Sequence, residues 1–449
     1  MKDITLINPV FPSNRIIPPY GLLCLTAILE QSGYSVDLRD YQTYKCKDPW
    51  EIGYFLDFLD NSSDVIGFTT YSFNLPFILK ALEQLKIDYP EKIIILGGIG
   101  VSGVHTELIN NFPFIDFIVR GEGDFIILNL LYALEHKKNL EDVNGITFRE
   151  NSKIKITPNR KRITNLDQLP LPAFHKIDFS QYLMPNIMFS RGCPYECTFC
   201  DVAPYWDKKN SKKSIPRFLE EITILNETYS QNKIGIVDDT FVLNEKRVTE
   251  FCKALRNENL DIEWGCYGRV DLMNIRIIKE MTESGCIKIY YGIESGNDDV
   301  LQKMKKGFSI HQALKVINTS LKYFDQVQTS FVWGFPFESL EQFHDTLFTM
   351  MFLAKEGAAI KAVILTPFPH STLYKEFKHT LKFSEDLSPI LYMAGYRDKP
   401  EIIQLVKSYR EVFPAFYYYE SRNIKEKYLI CKELGLSAEK IYDIWRRSK

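Results

Sequence analysis

No stretch of the 449-residue chain reaches 18 uninterrupted apolar residues, so no segment reads as a membrane-spanning helix. The most apolar region, around 347–368, is broken by Lys355, Glu356 and Lys361. Strong charge of either sign is also missing. The net charge of −2 gives no electrostatic ground for binding nucleic acid or anionic lipid. The beginning, MKDITLINPVFPS, lacks the basic-then-apolar order of a secretory leader, and a cytoplasmic location is expected. There is no solenoid-type repeat and no low-complexity run. What remains is an ordinary globular composition, 45% hydrophobic and 25% charged, on a chain long enough for two or three domains.

Residues 1–150 alternate short apolar runs with helical stretches. ITLINPV, SVDLRD, DVIGFTTYS, KIIILGG and FIDFIVRGEGD read as strands, and PYGLLCLTAILEQSGY, 51–60, 75–87 and 123–136 as helices. This alternation implies an α/β fold with a doubly wound parallel sheet, whose ligands bind at the carboxyl ends of the strands. The polar, basic and then proline-punctuated stretch 151–185 reads as a linker. Over 186–384 the alternation resumes with six candidate strands, NIMFSRG, KIGIVDD, DIEWGCYGR, IKIYYGIES, QVQTSFVWGFP and AIKAVILTPFP, which suggests a partial barrel of six β/α units. Residues 385–449 read as a small helical C-terminal region. Its aromatic run FPAFYYYE reads as packing or, alternatively, as a substrate lid.

Six of the nine cysteines stand singly, at Cys24, Cys46, Cys252, Cys266, Cys286 and Cys431. The other three crowd into RGCPYECTFCDV as Cys193, Cys197 and Cys200, directly after the first strand of the second series. Such a cluster points to metal or catalysis rather than disulfides. A structural zinc wants four ligands, and no second Cys or His pair is spaced to complete the set. An iron–sulfur cubane held by three thiolates would keep one iron open for an exchangeable ligand. Gly192 lets the loop turn sharply out of the strand and Pro194 stiffens it.

CPYECTFC resembles the CxxxCxΦC signature of the radical S-adenosylmethionine superfamily, with Phe199 as the aromatic before the last cysteine. The resemblance implies a [4Fe–4S] cluster on the three cysteines, chelated at its unique iron by S-adenosylmethionine. That cosubstrate is cleaved to a 5′-deoxyadenosyl radical, which requires an electron donor such as flavodoxin or ferredoxin. By the same resemblance, IGIVDDTF places Asp238 and Asp239 where polar groups meet the cosubstrate's amino group, although helix capping is an alternative for both. WGCYGRVD offers Arg269 as a carboxylate clamp or as a structural ion pair. YYGIESG offers Glu294 and Ser295. FVWGFPFES and LTPFPHSTLY resemble the segments that border the adenosine. His370 stands where relatives often have glycine, as a substrate contact or an ordinary loop histidine.

A doubly wound domain, a linker and then the cysteine loop resemble the cobalamin-binding subclass of that superfamily, over roughly residues 1–380. The subclass pattern for a histidine under the cobalt is DxHxxG after the first strand. Here that turn is NPVFPS, with Asn8 for the acid and Val10 for the histidine. Cobalamin is therefore expected without a protein histidine ligand. The turns Thr70-Tyr71-Ser72, Gly97-Gly98 with Gly100, and Gly121-Glu122-Gly123 are the expected contacts. His105, a few residues on, reads as a histidine of the following helix rather than a cobalt ligand. The leading expectation is a cobalamin-dependent methyltransferase acting at an unactivated carbon of a small molecule. The alternatives are a cobalamin-free dehydratase, mutase or cyclase, and a cobalamin or tetrapyrrole sensor.

Overall fold

A computed structural model describes residues 2–12, 16–258 and 260–436. The chain divides into two compact units: 1–163 with 168–183 and 390–416, and 164–167 with 184–389 and 417–449.

The first unit is built on seven strands: β1 (Ile4–Asn8), β2 (Val36–Asp40), β3 (Val65–Thr69), β4 (Ile93–Gly97), β5 (Phe117–Val119), β6 (Ile146–Glu150) and β7 (Lys153–Ile156). Their order in the sheet is β2-β1-β3-β4-β5-β6-β7. The first five run parallel and the last two antiparallel. A parallel sheet has both faces covered, so its strands are apolar along their length, and every residue of β1 is buried. The chain leaves β1 toward one edge and returns through β3 on the other side. The topological switch point, where such sheets bind ligands, therefore lies between β1 and β3.

β7 begins inside the stretch that read as linker. Its KIKI sequence keeps lysines on an edge strand, where charge discourages pairing with another chain, and that polarity disguises a strand. The region expected as one C-terminal helical segment is shared between the units. Helices Pro389–Met393 and Pro400–Ser408 fall mostly with the first, and helix Ile424–Glu433 with the second. Residues 437–449 lie outside the described residues.

The second unit carries β8 (Asn186–Ile187), then β9 (Ser190–Arg191) and β10 (Ser211–Lys212), which pair antiparallel. There follow β11 (Lys233–Ile236), β12 (Glu263–Gly268), β13 (Cys286–Glu294), β14 (Gln326–Trp333) and β15 (Ala359–Ile364). β8, β11, β12, β13, β14 and β15 form one six-stranded parallel sheet in chain order, the partial barrel expected from the sequence. The intervening helices start at clear signals. Ser214 caps helix Ile215–Thr223, and Ser339 with Gln342 closes a capping box on helix Leu340–Lys355. Among the described residues, no helix is long and apolar enough to cross a membrane.

Candidate functional site

The cysteine loop leaves β9 at Gly192, whose φ of +93° is a left-handed conformation open to glycine at little cost. Two adjacent carboxylates hold the approach to it. Asp238 is 1% exposed and accepts from Phe189 N at 2.7 Å and from Ser190 Oγ at 2.6 Å. Asp239 accepts from Gly192 N at 2.9 Å. Asn210 Nδ2 adds a bond to Gly192 O at 2.7 Å. Neither aspartate caps the next helix, which starts at Glu245 under Asn244. Burial pushes the Asp238 carboxyl above its ordinary value, against the hydrogen bonds it accepts.

Farther along, Thr198 N donates to Met304 O at 3.1 Å, and Leu373 N donates to Thr198 O at 2.8 Å. The loop is thus clamped by the turn before Gly307 and by the start of helix Thr372–Phe377. All three cysteines are free thiols. Burial raises the Cys193 thiol and pushes Cys200 up to about 12, and a metal bound to them would favour the thiolate form. Among the described residues, no three His, Cys, Asp or Glu side chains are placed to hold a single metal ion. Thiols that share a multi-iron cubane stand farther apart than thiols on one ion, and the donor set is the all-sulfur one that iron–sulfur clusters take.

Arg269, the residue after β12, is 7% exposed. It pairs through two nitrogens with Asp271, at 3.0 and 3.1 Å, and donates to Lys306 O. It also points Nη1 at Cys197 Sγ, 3.8 Å away. The ion pair and the sulfur contact use the guanidinium that the sequence offered as a clamp.

Glu294 ends β13 at φ +74°, a strained value for a residue with a side chain. Its carboxylate accepts from Ser330 Oγ at 3.1 Å and from Lys306 Nζ at 3.4 Å. A Cβ on Gly292 would lie 2.4 Å from Glu294 Oε1, so a side chain there would displace that carboxylate. Ser295 is fully buried and bonds to Thr346 Oγ1 at 3.1 Å, so it packs β13 against helix Leu340–Lys355. Phe199 meets the Phe335 ring edge-on at 5.9 Å, and Lys306 Nζ lies 5.8 Å from the Phe199 centroid. Lys306, 5% exposed, is a buried cation beside the loop that sequence reasoning missed. Its signal, one lysine in the run KMKKG, is indistinguishable there from its exposed neighbours. His370 is half-buried with Nε2 unpartnered, and burial holds its ring below the usual histidine range.

At the carboxyl edge of the first sheet, Thr70 donates to Gly97 O through N at 2.8 Å and Oγ1 at 2.7 Å. Gly98 has φ +99°, and a Cβ on it would lie 2.7 Å from Thr70 O. A Cβ on Gly100 would lie 2.5 Å from the Tyr71 carbonyl carbon. These two glycines let the turns after β3 and β4 nest together. Ser102 Oγ donates to Gly98 O, and Gly121 N donates to Ser102 Oγ, which joins the turn after β5. Gly121 has φ +72° and open space where a side chain would stand. Glu122 accepts from Ile163 N at 2.9 Å, and Gly123 precedes helix Asp124–Glu135. Ser72 is half-buried, while Tyr71 is 39% exposed and stacks on Phe73 at 5.2 Å. Val10 is buried at 3% exposure, an aliphatic side chain where a histidine would have to stand. His105 bonds to Thr147 Oγ1 at 3.0 Å and packs its helix on β6.

The edge at a switch point, the small-residue turns and the three-thiol loop that follows the first strands of the second unit define an iron–sulfur enzyme with a cobalamin-type domain. Residues 187–350 match the family model described as Radical SAM superfamily, and residues 11–131 match the B12 binding domain. An uncharacterised methyltransferase of Pyrococcus horikoshii is 30% identical over 317 residues, 70% of this chain and 69% of that protein. The anaerobic magnesium-protoporphyrin IX monomethyl ester cyclase of Rubrivivax gelatinosus is 27% identical over 417 residues, 85% of this chain and 73% of that protein. The radical S-adenosylmethionine methyltransferase TsrM of Kitasatospora setae, solved with cobalamin and a [4Fe–4S] cluster, shares the fold. Its TM-score is 0.70 at 16% identity, over 86% of this chain and 81% of that one. The chain belongs to the radical S-adenosylmethionine superfamily, among the members that carry a B12-binding domain. It is an enzyme whose cofactors are a [4Fe–4S] cluster, S-adenosylmethionine and cobalamin.

Proposed function

We propose that the protein is a cobalamin-dependent methyltransferase acting on an unactivated carbon of a small-molecule or natural-product substrate. The observation that carries this reading is the coexistence of an intact three-thiol loop and a switch-point edge with Val10 in place of a histidine. When bound, the cluster supplies the electron that splits S-adenosylmethionine, and cobalamin carries the methyl group.

Cys193, Cys197 and Cys200 hold the cluster. Asp238 and Asp239 orient the loop through Phe189, Ser190 and Gly192. Glu294 and Lys306, a mutually neutralising pair beside Phe199, are suited to the zwitterionic end of the cosubstrate, the carboxylate for its ammonium and the lysine for its carboxylate. The turns at Thr70–Ser72, Gly97–Gly100 and Gly121–Gly123 border the cobalamin. With Val10 after β1, that position would offer a bound cobalamin no histidine nitrogen. A protein reductant supplies the electron.

The test is anaerobic reconstitution with iron, sulfide and cobalamin, followed by turnover of candidate metabolites with S-adenosylmethionine deuterated in its methyl group. The expected result is a corrin band that copurifies, 5′-deoxyadenosine, and a product carrying the label. Cys197→Ala is expected to abolish 5′-deoxyadenosine. A product without label would instead favour ring formation, the second reading, which the cyclase relative covering 85% of the chain supports.

A further inference from the structure

The cluster assigned above must receive one electron for each S-adenosylmethionine it splits, so some reductant has to approach the cysteine loop from outside. The loop and the two segments hydrogen-bonded to it carry exposed lysines. Lys303 and Lys305 flank Met304, whose carbonyl accepts from Thr198 N, one residue from Cys197. Lys375 lies two residues beyond Leu373, whose N–H donates to Thr198 O. Lys208 reaches Glu196, inside the loop itself, and Lys305 Nζ lies 3.9 Å from the same carboxylate. All four lysines are exposed, as are Lys209 and Lys378 beside them. The exposed acids on these three stretches (194–209, 302–305 and 372–378) are Glu196, Asp207 and Glu376. Six lysines against three acids leave a surplus of three positive charges, on a chain whose net charge is −2. The segments come from distant parts of the sequence, so no local charge run accounts for the patch. The fold assembles it against the metal loop.

We propose that this lysine rim is the docking surface for a small, acidic, low-potential electron-transfer protein. The inference rests on the cluster reading and adds the place at which the donor approaches. On contact, the reduced donor gives up one electron and is oxidised by one unit, and the oxidised cluster is reduced by one. No bond is made or broken in that step. Charge complementarity at an exposed rim acts mainly on the association rate, and it is screened by salt. A docking site beside Thr198 also keeps the path to the Cys197 sulfur short.

The test compares two reductants on the reconstituted full-length enzyme: flavodoxin hydroquinone, an acidic protein, and reduced methyl viologen, a small cation. Cluster reduction is followed by its absorbance in stopped flow. In the Lys303→Glu/Lys375→Glu variant, the rate with flavodoxin is expected to fall about tenfold or more, with the rate from methyl viologen undiminished. Raising the salt concentration is expected to slow flavodoxin with the unaltered enzyme and to bring the two proteins together. An undiminished flavodoxin rate in the variant overturns the proposal. So does a salt-independent flavodoxin rate in the unaltered enzyme, which decides the matter even if the variant loses its cluster. Absence of an iron–sulfur absorbance band in the reconstituted unaltered enzyme would strike at the cluster reading instead.

Discussion

Arg269 aims a guanidinium nitrogen at the sulfur of Cys197 from 3.8 Å, while Asp271 grips its other side and the Tyr195 ring lies 3.5 Å beneath its central carbon. The arginine is locked in place by stacking and an ion pair, so its donor to the sulfur is preorganised. Hydrogen bonds to cluster sulfurs are among the levers that set a reduction potential. A positive donor favours the reduced, more negative cluster. Removing it with its counter-charge, in Arg269→Gln/Asp271→Asn, should lower the midpoint potential. A charge-assisted bond of about 1.5 kcal/mol corresponds to about 60 mV for a one-electron couple. An anaerobic redox titration followed by electron paramagnetic resonance measures it. An unchanged potential would leave Arg269 with a purely structural part.

Val10 sets a spectroscopic expectation. With an aliphatic side chain at that position, cob(II)alamin bound to the protein should show no nitrogen hyperfine splitting from a protein histidine. Such splitting in the electron paramagnetic resonance spectrum would mean that another histidine reaches the cobalt.

Lys427 and Glu338 form an ion pair at 2.8 Å with both side chains fully buried. Lys427 also donates to Glu338 O, and Gly334 N donates to Glu338 Oε2 at 3.1 Å, so the pair ties helix Ile424–Glu433 to the turn after β14. Lys427→Met strands a buried carboxylate and should cost about 3–5 kcal/mol, while Lys427→Met/Glu338→Leu should recover much of it. Burial already raises the Glu338 carboxyl above its ordinary value. In the single variant it is raised without the opposing lysine. Its folded value then lies above the unfolded one, so the folded form binds the proton more tightly. Stability is retained at low pH, where the group is neutral in both states, and falls as pH rises through the folded value. Thermal unfolding of the single variant should therefore worsen from pH 5.5 to pH 8 relative to the parent. A parallel pH response in the two proteins would count against the stranded charge.

Gly98 combines φ +99° with a missing Cβ that would sit 2.7 Å from Thr70 O. Gly98→Ala should cost about 1–3 kcal/mol through backbone strain, and the nested turns must part to relieve the contact. Cobalamin retention through gel filtration should fall. Gly53→Ala is the control, since its Cβ would meet nothing within 4 Å.

The cysteine loop was legible because its chemistry is written in consecutive residues, and the doubly wound sheet because buried parallel strands are apolar throughout. The partners of the polar strand-end residues were not. Asp238 is paired with Phe189 and Ser190 nearly fifty positions earlier, and the occupant of the Lys306 position is betrayed only by its burial. Neither fact leaves a local pattern. The strand β7 was hidden by the lysines that suit it to an edge, and the membership of 390–416 in the first unit depends on contacts across more than three hundred residues.

That last segment changes how the gene can be cut. Trp50 meets Tyr396 at 4.9 Å, and Lys399 bridges to Asp48 at 3.2 Å. A fragment stopping at 389 keeps every barrel strand yet strips the corrinoid half of a wall. A self-sufficient corrinoid half would need 390–416 spliced behind residue 183, a circular economy of sequence that simple truncation cannot reproduce.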